Sequence, residues 1–316
     1  MDPQRAALVE KAIARRALLA ADTNALRLVN GQGDGLPGIT LDRFDRHFLI
    51  QTYSARPALS PSLLAEYVRS RFPAAYIISK NRTLPAAECI ARAEVWLEEA
   101  GPQTEITEHG LHFRVDLRDA VNPGLFLDMR ANRLRVAKRA KGRRILNAFA
   151  YTCAFGVHAC SRGASQVVNV DISRKVLAWG EQNYRLNQLP VKDGEFVAAD
   201  CGLYLRGAAK RSNCFDLVIL DPPSFARHQG RVFTVKTGLP RLIKAGLEVL
   251  NQNGTLFVST NHSEVDDKLL GRWLRNAGLA AGRHLRRMQT WGQDSDFPGT
   301  GAMKESHLAA AMADWD

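Results

Sequence analysis

The stretch that decides the fold runs from Glu195 to Phe225 and reads "EFVAADCGLYLRGAAKRSNCFDLVILDPPSF". Two short apolar runs, 195–198 and 215–220, flank a segment of helical character at 201–208. Each run ends on an aspartate, Asp200 and Asp221. Pro222 and Pro223 then stop the second run abruptly, because proline offers no N–H to a strand ladder and restricts the residue before it.

The same rhythm extends to both sides. Strands are predicted near 144–149, 166–170 and 254–259, and helices near 155–162, 173–187 and 238–250. Alternation of this kind points to an α/β fold with a doubly wound, mostly parallel sheet covered on both faces. The tail predicts two more strands, near 284–291 and 307–313, pairing as a closing hairpin. Upstream the pattern differs. An amphipathic helix at 3–21, a glycine-rich turn, a hairpin at 39–43 and 47–53, a helix at 59–71, the strand "AAYIIS" and short strands between Trp96 and Asp119 form a small α+β module. The expected division is an N-terminal helix at 1–25, a recognition module at 26–120 and a catalytic domain at 121–316.

Composition narrows the class. The chain has 316 residues, 46% of them hydrophobic and 24% charged, without an apolar stretch long enough to span a membrane and without a signal-peptide core. Its five cysteines are an odd, scattered set with no CxxC pair, so they are expected to be reduced, with neither disulfide nor metal site, in a cytoplasmic protein. With 43 basic against 32 acidic residues, the net charge of +11 favours a polyanionic partner.

In a doubly wound sheet, ligands bind beyond the carboxyl ends of the strands. The first strand ends in Asn147-Ala148-Phe149-Ala150-Tyr151-Thr152, the second on Asp171, the third on Asp200 and the fourth on Asp221. A helix cap accounts for one such aspartate, and Asp171 fits that role well. A nucleoside ligand accounts for all three, with ribose on the second strand's acid and an adenine amino group on the third's. A dinucleotide is the rival, but no GxGxxG turn follows the first strand.

These segments resemble a known family. "NGQGDGLPGITLDRF", "NPGLFLDMRANR", "ILNAFAYTCAFGVHA", "VVNVDISRKVLAWGEQNYRLN", "FVAAD" and "DLVILDPPSF", in this order, are similar to the class I S-adenosylmethionine-dependent methyltransferases of large-subunit (23S) ribosomal RNA. Those comprise the type I cytosine-modifying enzymes and the guanine-modifying half of the fused K/L enzymes. The resemblance implies a Rossmann-like fold with a seven-stranded sheet and S-adenosyl-L-methionine as cofactor. It places methionine-side contacts on Asn147, Ala148, Phe149, Tyr151 and Thr152, ribose contacts on Asp171 with Ile172 and Ser173, and adenine contacts on Asp200 with Cys201. It also assigns Phe126, Asp128 and Arg130 to a loop covering the cofactor, and Asp221 to the methyl-transfer end. Two departures stand out. Cys153 replaces the usual glycine, where its thiol is expected to crowd the methionine end. Only about 25 residues precede the matching region, so the N-terminal PUA domain of the type I enzymes is expected to be missing.

Asp221-Pro222-Pro223 forms a rigid ledge of free carbonyl acceptors, and Phe225 is placed to stack on a base. Carbon 5 of cytosine needs a cysteine nucleophile before it can be methylated. Asn261 stands where the type I enzymes carry that cysteine, and "STNHS" resembles the K/L half. The favoured target is therefore nitrogen 7 of guanine, with Asn261 on the base edge. His262 is read as structural before proton acceptor. Cytosine carbon 5, a catalytically weak RNA-binding assembly factor and a small-molecule methyltransferase are the alternatives.

Eight basic residues lie between Arg130 and Arg144, and Arg283, Arg286 and Arg287 form a second cluster. Arg133, Lys138, Arg139, Arg286 and Arg287 are the expected contacts to ribosomal RNA, alone or within an assembling particle.

Overall fold

Apolar runs such as Leu217-Val218-Ile219-Leu220, each 0% exposed, become central strands because helices cover both faces of the sheet they enter. The computed structural model describes residues 1–119, 122–228, 231–299 and 308–316. The chain folds as two units. Unit 1 takes in Met1–Arg130 and the described part of 294–303; unit 2 takes in Ala131–Gln293 and the described part of 304–316.

In unit 1, α1 (Pro3–Arg15) starts on Pro3, and the Asp2 side chain accepts the Arg5 N–H at 3.0 Å. The helix expected over 3–21 stops at Arg15 and gives way to a 3₁₀ turn, Ala17–Ala21. The buried Arg16 guanidinium turns inward onto Asp34, at 2.8 and 2.7 Å. There follow β1 (Ala25–Asn30), β2 (Ile39–Phe44), β3 (His47–Thr52), α2 (Pro61–Arg71), β4 (Tyr76–Asn81), α3 (Ala86–Ala91) and β5 (Glu94–Glu98). These strands form one sheet in chain order, antiparallel except where α2 carries the chain between the parallel β3 and β4. A hairpin, β6 (Gln103–Glu108) and β7 (Leu111–Asp116), completes the unit. Val9 and Ala12 of α1 share a core with Leu26, Phe48, Ile50 and Val68, so the N-terminal helix belongs to the module from which the sequence reading separated it. The expected boundary at 120–121 falls outside the described residues. The glycine-rich "NGQGDGLPG" segment has a structural use: a Cβ on Gly33 would lie 1.7 Å from the Pro298 carbonyl oxygen.

Unit 2 contains α4 (Arg130–Ala137, its first residue in unit 1), β8 (Arg144–Ala148), α5 (Ala154–Ser161), β9 (Gln166–Asp171), α6 (Arg174–Leu186), β10 (Phe196–Ala198), α7 (Cys201–Lys210) and β11 (Phe215–Leu220). It continues with a hairpin of β12 (Phe225–His228) and β13 (Arg231–Thr234), then α8 (Val235–Glu248), β14 (Leu250–Thr260), α9 (Asp267–Ala281), β15 (Leu285–Trp291) and β16 (Ala309–Trp315). The seven-stranded sheet has the order β10-β9-β8-β11-β14-β16-β15; β16 alone runs antiparallel to both of its neighbours. β14 starts earlier than expected, at Leu250, because its register shifts between Phe215 and Leu217 of β11 and absorbs the polar run 251–253 as an irregularity. Residues 300–307, which include the predicted start of the last strand, lie outside the described residues. Strand order reverses between β8 and β11, and the crevice of such a sheet opens beyond the carboxyl ends of those strands.

Candidate functional site

The loop leaving β8 has an unusual backbone. Phe149, Tyr151 and Cys153 take φ values of 61°, 48° and 60°, left-handed conformations that cost a residue with a Cβ roughly 1–2 kcal/mol each. Hydrogen bonds from three directions hold them. The Phe149 N–H donates to the Cys201 sulfur at 3.1 Å, the Tyr151 N–H to Asp171 Oδ2 at 2.9 Å, and Asn183 donates to the Thr152 carbonyl at 3.0 Å. A bond to a carboxylate contributes about 1.5–3 kcal/mol, enough to offset one strained residue. The lack of a glycine fingerprint thus does not mean a lack of left-handed turns here; three non-glycine residues make them.

Beneath the loop lies a buried polar chain. Asn147 donates to Asn169 at 2.9 Å, and Asn169 donates to the Tyr184 hydroxyl at 3.0 Å. Gly156 of α5 leaves room for it, since a Cβ there would sit 2.4 Å from Asn169 Oδ1. Asn147, 1% exposed, therefore braces the loop from below. Cys153 does not crowd an open crevice. Its side chain is fully buried against Gly180 of α6, where a Cβ would meet the sulfur at 2.3 Å. Burial and the nearby Asp171 push its thiol up.

Along the same sheet edge, Asp171 accepts the Tyr151 N–H on one oxygen and the Ser173 N–H on the other, each at 2.9 Å. The cap of α6 is Ser173, which accepts from Val176, so the capping role considered for Asp171 falls to its neighbour. Asp200 does cap α7, accepting the Leu203 N–H on Oδ1 at 2.7 Å; its Oδ2 has no hydrogen-bond partner among the described residues. Cys201 directs its sulfur inward, between the Phe149 N–H and the Val170 carbonyl, and burial pushes its thiol up. Its backbone N–H, in the first turn of α7, is the group left for a ligand. Ile172 and Leu203 are exposed apolar side chains, 47% and 54%, each in the loop or helix start just past an acid. The sequence reading missed Leu203; the signal was an apolar residue on the first turn of a helix that opens at a strand end.

Past β11, Asp221 accepts from Ser259 at 2.7 Å, and Ser224 donates to Asn261 Oδ1. These two bonds tie the ends of the adjacent strands β11 and β14, and neither serine was singled out from the sequence. Pro222 is buried, while Pro223 and Phe225 are exposed, Phe225 at 59%. His262 Nδ1 accepts the Glu264 N–H at 3.3 Å, which is turn architecture.

The remaining predicted residues are distributed differently. Phe126, Asp128 and Arg130 belong to unit 1. Phe126 is 38% exposed, and Asp128 lies close enough to Arg27 to help keep that guanidinium charged. Arg130 does not end on open space: its guanidinium grips Asp296 at 2.8 and 3.1 Å and Asp294 at 3.0 Å. Arg133 is 2% exposed and cannot be a surface contact to phosphate; it lies on the inner face of α4 with Val136 and Ala137. Lys138 is exposed, Arg139 pairs with Asp314 at 3.3 Å, and Arg286 and Arg287 are exposed.

A doubly wound sheet with Asp171, Asp200 and Asp221 at or just past the carboxyl ends of β9, β10 and β11 is a Rossmann-like arrangement suited to a nucleoside ligand. The comparisons agree. A model of the S-adenosylmethionine-dependent methyltransferase family matches residues 70–298, and the chain belongs to that family. It is 32% identical over 310 residues to ribosomal RNA large subunit methyltransferase I of Photobacterium profundum, covering 96% of this chain and 78% of that protein. The Escherichia coli K12 protein of the same name is 30% identical over 283 residues, covering 87% and 70%. Among solved structures, a protein assigned as a methyltransferase and crystallised with SAH superimposes with a TM-score of 0.85 at 26% identity, over 97% of this chain and 80% of the other. The cofactor is S-adenosylmethionine, and the residues fit it: a half-exposed Asp171, an unused carboxylate oxygen on Asp200 and exposed apolar walls at Ile172 and Leu203.

Proposed function

We propose that this enzyme methylates a base of large-subunit ribosomal RNA in the cytoplasm, with nitrogen 7 of guanine as the favoured atom. The names of its relatives support the RNA class, and among the described residues no helix is long and apolar enough to cross a membrane. The observation that carries the choice of atom is the Ser224–Asn261 bond: an asparagine, not a thiol, is fixed beside the Asp-Pro-Pro ledge.

In this reading the Asp171 carboxylate takes the ribose hydroxyls, backbone and Oδ2 groups at Asp200–Cys201 take adenine, and the 149–152 loop, braced from below by Asn147, takes the methionine end. S-adenosylmethionine supplies an electrophilic methyl group on its sulfonium. Pro222 and Pro223 present carbonyl groups to the base, Phe225 stacks on it, and Asn261 offers its amide nitrogen to the base edge. Guanine N7 carries its own lone pair, so orientation and exclusion of water provide the rate gain. The base must first leave its stack, which Phe225 rewards.

The second reading, carbon 5 of cytosine, is favoured by similarity to the type I enzymes and requires a thiolate at this edge. Mass spectrometry of nucleosides from the ribosomal RNA of a deletion strain separates the two. We expect 7-methylguanosine to be lost, to return with the wild-type gene and to stay absent with Asp221→Ala. Loss of 5-methylcytidine instead would replace the first reading with the second.

A further inference from the structure

At the other end of the sheet from the methyl-transfer edge, unit 2 has an open concavity of about 370 Å³ ringed by Arg139, Arg143, Arg286 and Arg287. Among the described residues Asp314 is the one carboxylate in its lining, so four guanidinium groups against one acid leave a formal excess of three positive charges. The strands explain the clustering. Arg143 immediately precedes β8, and its guanidinium donates to Thr255 of β14 at 2.9 Å. Thr255 donates in turn to Asp314 of β16 at 2.8 Å, and Asp314 also takes the Arg139 guanidinium. Arg287 is the cross-strand partner of Asp314, and the register of β15 against β16 shifts between Leu285 and Arg287. A bulge lets consecutive residues face the same way, which is how Arg286 and Arg287 both reach the concavity. Arg286 donates to the neutral amide of Asn253, and Arg287 makes no hydrogen bond or ion pair among the described residues. No further acid among the described lining residues balances these charges.

We propose that this arginine-lined concavity is a second RNA contact that binds backbone phosphates of the substrate, remote from the base being methylated. Guanidinium forks suit phosphate oxygens, and phosphate contacts fix register without reading sequence. The inference rests on the RNA reading of the active edge and sets a minimum size for the substrate. Asn253 lines the concavity and Asn261 follows the end of the same strand at the catalytic edge. Asn253, at φ 57°, and Gly254 sit in the irregularity of β14, so the regular stretch between the two places runs from Thr255 to Asn261, six residues or roughly 20 Å at about 3.3 Å per residue. At about 3.4 Å per stacked nucleotide, that is on the order of six steps. An isolated nucleotide or a very short oligomer cannot touch both places.

The test uses the full-length protein, large-subunit ribosomal RNA from a deletion strain, and the same RNA hydrolysed to fragments of about five nucleotides. Arg286→Gln/Arg287→Gln should raise the KM for intact RNA about tenfold near 0.15 M salt. It should also lower the slope of log affinity against log salt by about 1.4, two contacts at about 0.7 each for single strands. Affinity for S-adenosylmethionine, transfer at saturating intact RNA and transfer to the short fragments should match wild type. Lys268→Gln/Arg272→Gln, which removes two exposed charges from α9, should leave the salt slope unchanged. The proposal fails if the arginine variant keeps the wild-type KM and slope, or if the α9 variant loses as much. If the wild-type enzyme transfers no methyl group to any of this RNA, the RNA reading itself fails with it.

Discussion

Gly180→Ala probes the left-handed loop most directly. A Cβ at this position would fall 2.3 Å from the Cys153 sulfur, 2.9 Å from its Cβ and 3.2 Å from the Thr152 carbonyl carbon. Either the loop or α6 must shift, and overpacking of this kind costs about 1–3 kcal/mol. Replacing glycine by alanine inside a helix returns about 1 kcal/mol, so the single variant should lose between about 0 and 2 kcal/mol. Cys153→Gly relieves a left-handed non-glycine residue, about 1–2 kcal/mol, and gives up a small buried side chain worth about 1 kcal/mol. Its own effect is therefore small. In that background the Thr152 carbon, at 3.2 Å, is what remains of the three nearest atoms to the methyl group added at position 180, and the helix gain survives. The double-mutant cycle should give a coupling of about 1–3 kcal/mol, with Gly180→Ala stabilising in the Cys153→Gly protein. Urea denaturation of the four proteins measures it. Calorimetric titration with S-adenosylmethionine adds a second readout, tenfold in Kd for each 1.4 kcal/mol of loop distortion, restored in the double variant. Equal costs for Gly180→Ala in both backgrounds would refute the reasoning, because the sulfur would then not be what the new methyl group meets.

Asn261→Ala should leave the fold and S-adenosylmethionine affinity intact and lower kcat for RNA methylation about 10²-fold, the usual penalty for a reacting group held out of place. Unchanged turnover with tritiated cofactor would remove Asn261 from the site. In unit 1, Lys80 is 2% exposed, and burial pushes its pKa down to about 8. The unfolded chain holds that proton up to about pH 10.4, so stability should rise with pH between about 8 and 10.4, by at most about 1.4 kcal/mol per unit. Lys80→Met should flatten that rise in urea midpoints; a parallel rise in the variant would point to another group.

The parallel strands were legible because strands buried on both faces read as continuous apolar runs, and their carboxyl ends announced themselves as aspartates. Arg133 was misjudged for an avoidable reason. Counting charges between Arg130 and Arg144 ignored helical phase: Met129, Arg130, Arg133, Val136, Ala137 and Ala140 form the buried stripe of α4 and its ends. Other contacts were invisible in principle. Arg130 finds Asp294 and Asp296 some 164 and 166 residues away, and nothing local marks such a pairing. The compensation of Cys153 by Gly180 is of the same kind, since each looks unremarkable in its own segment.

Cysteine usage bears most directly on the atom methylated. A covalent route to cytosine needs a thiolate that is exposed, stabilised by nearby positive charge and located where β11 or β14 ends. Cys153 and Cys201 follow the carboxyl ends of β8 and β10, yet both are buried, both are pushed up in pKa, and both hold the 149–153 loop: one packs on Gly180, the other accepts the Phe149 N–H. Cys160 lies near the end of α5 and is also pushed up by burial, Cys214 precedes β11 at its amino end, and Cys89 is buried in unit 1. The site thus uses the bulk and weak hydrogen bonding of sulfur, not its nucleophilicity. Asn261, bonded to Ser224, stands past the end of β14, and the proposed transfer to a purine ring nitrogen, which carries its own lone pair, needs no thiolate there.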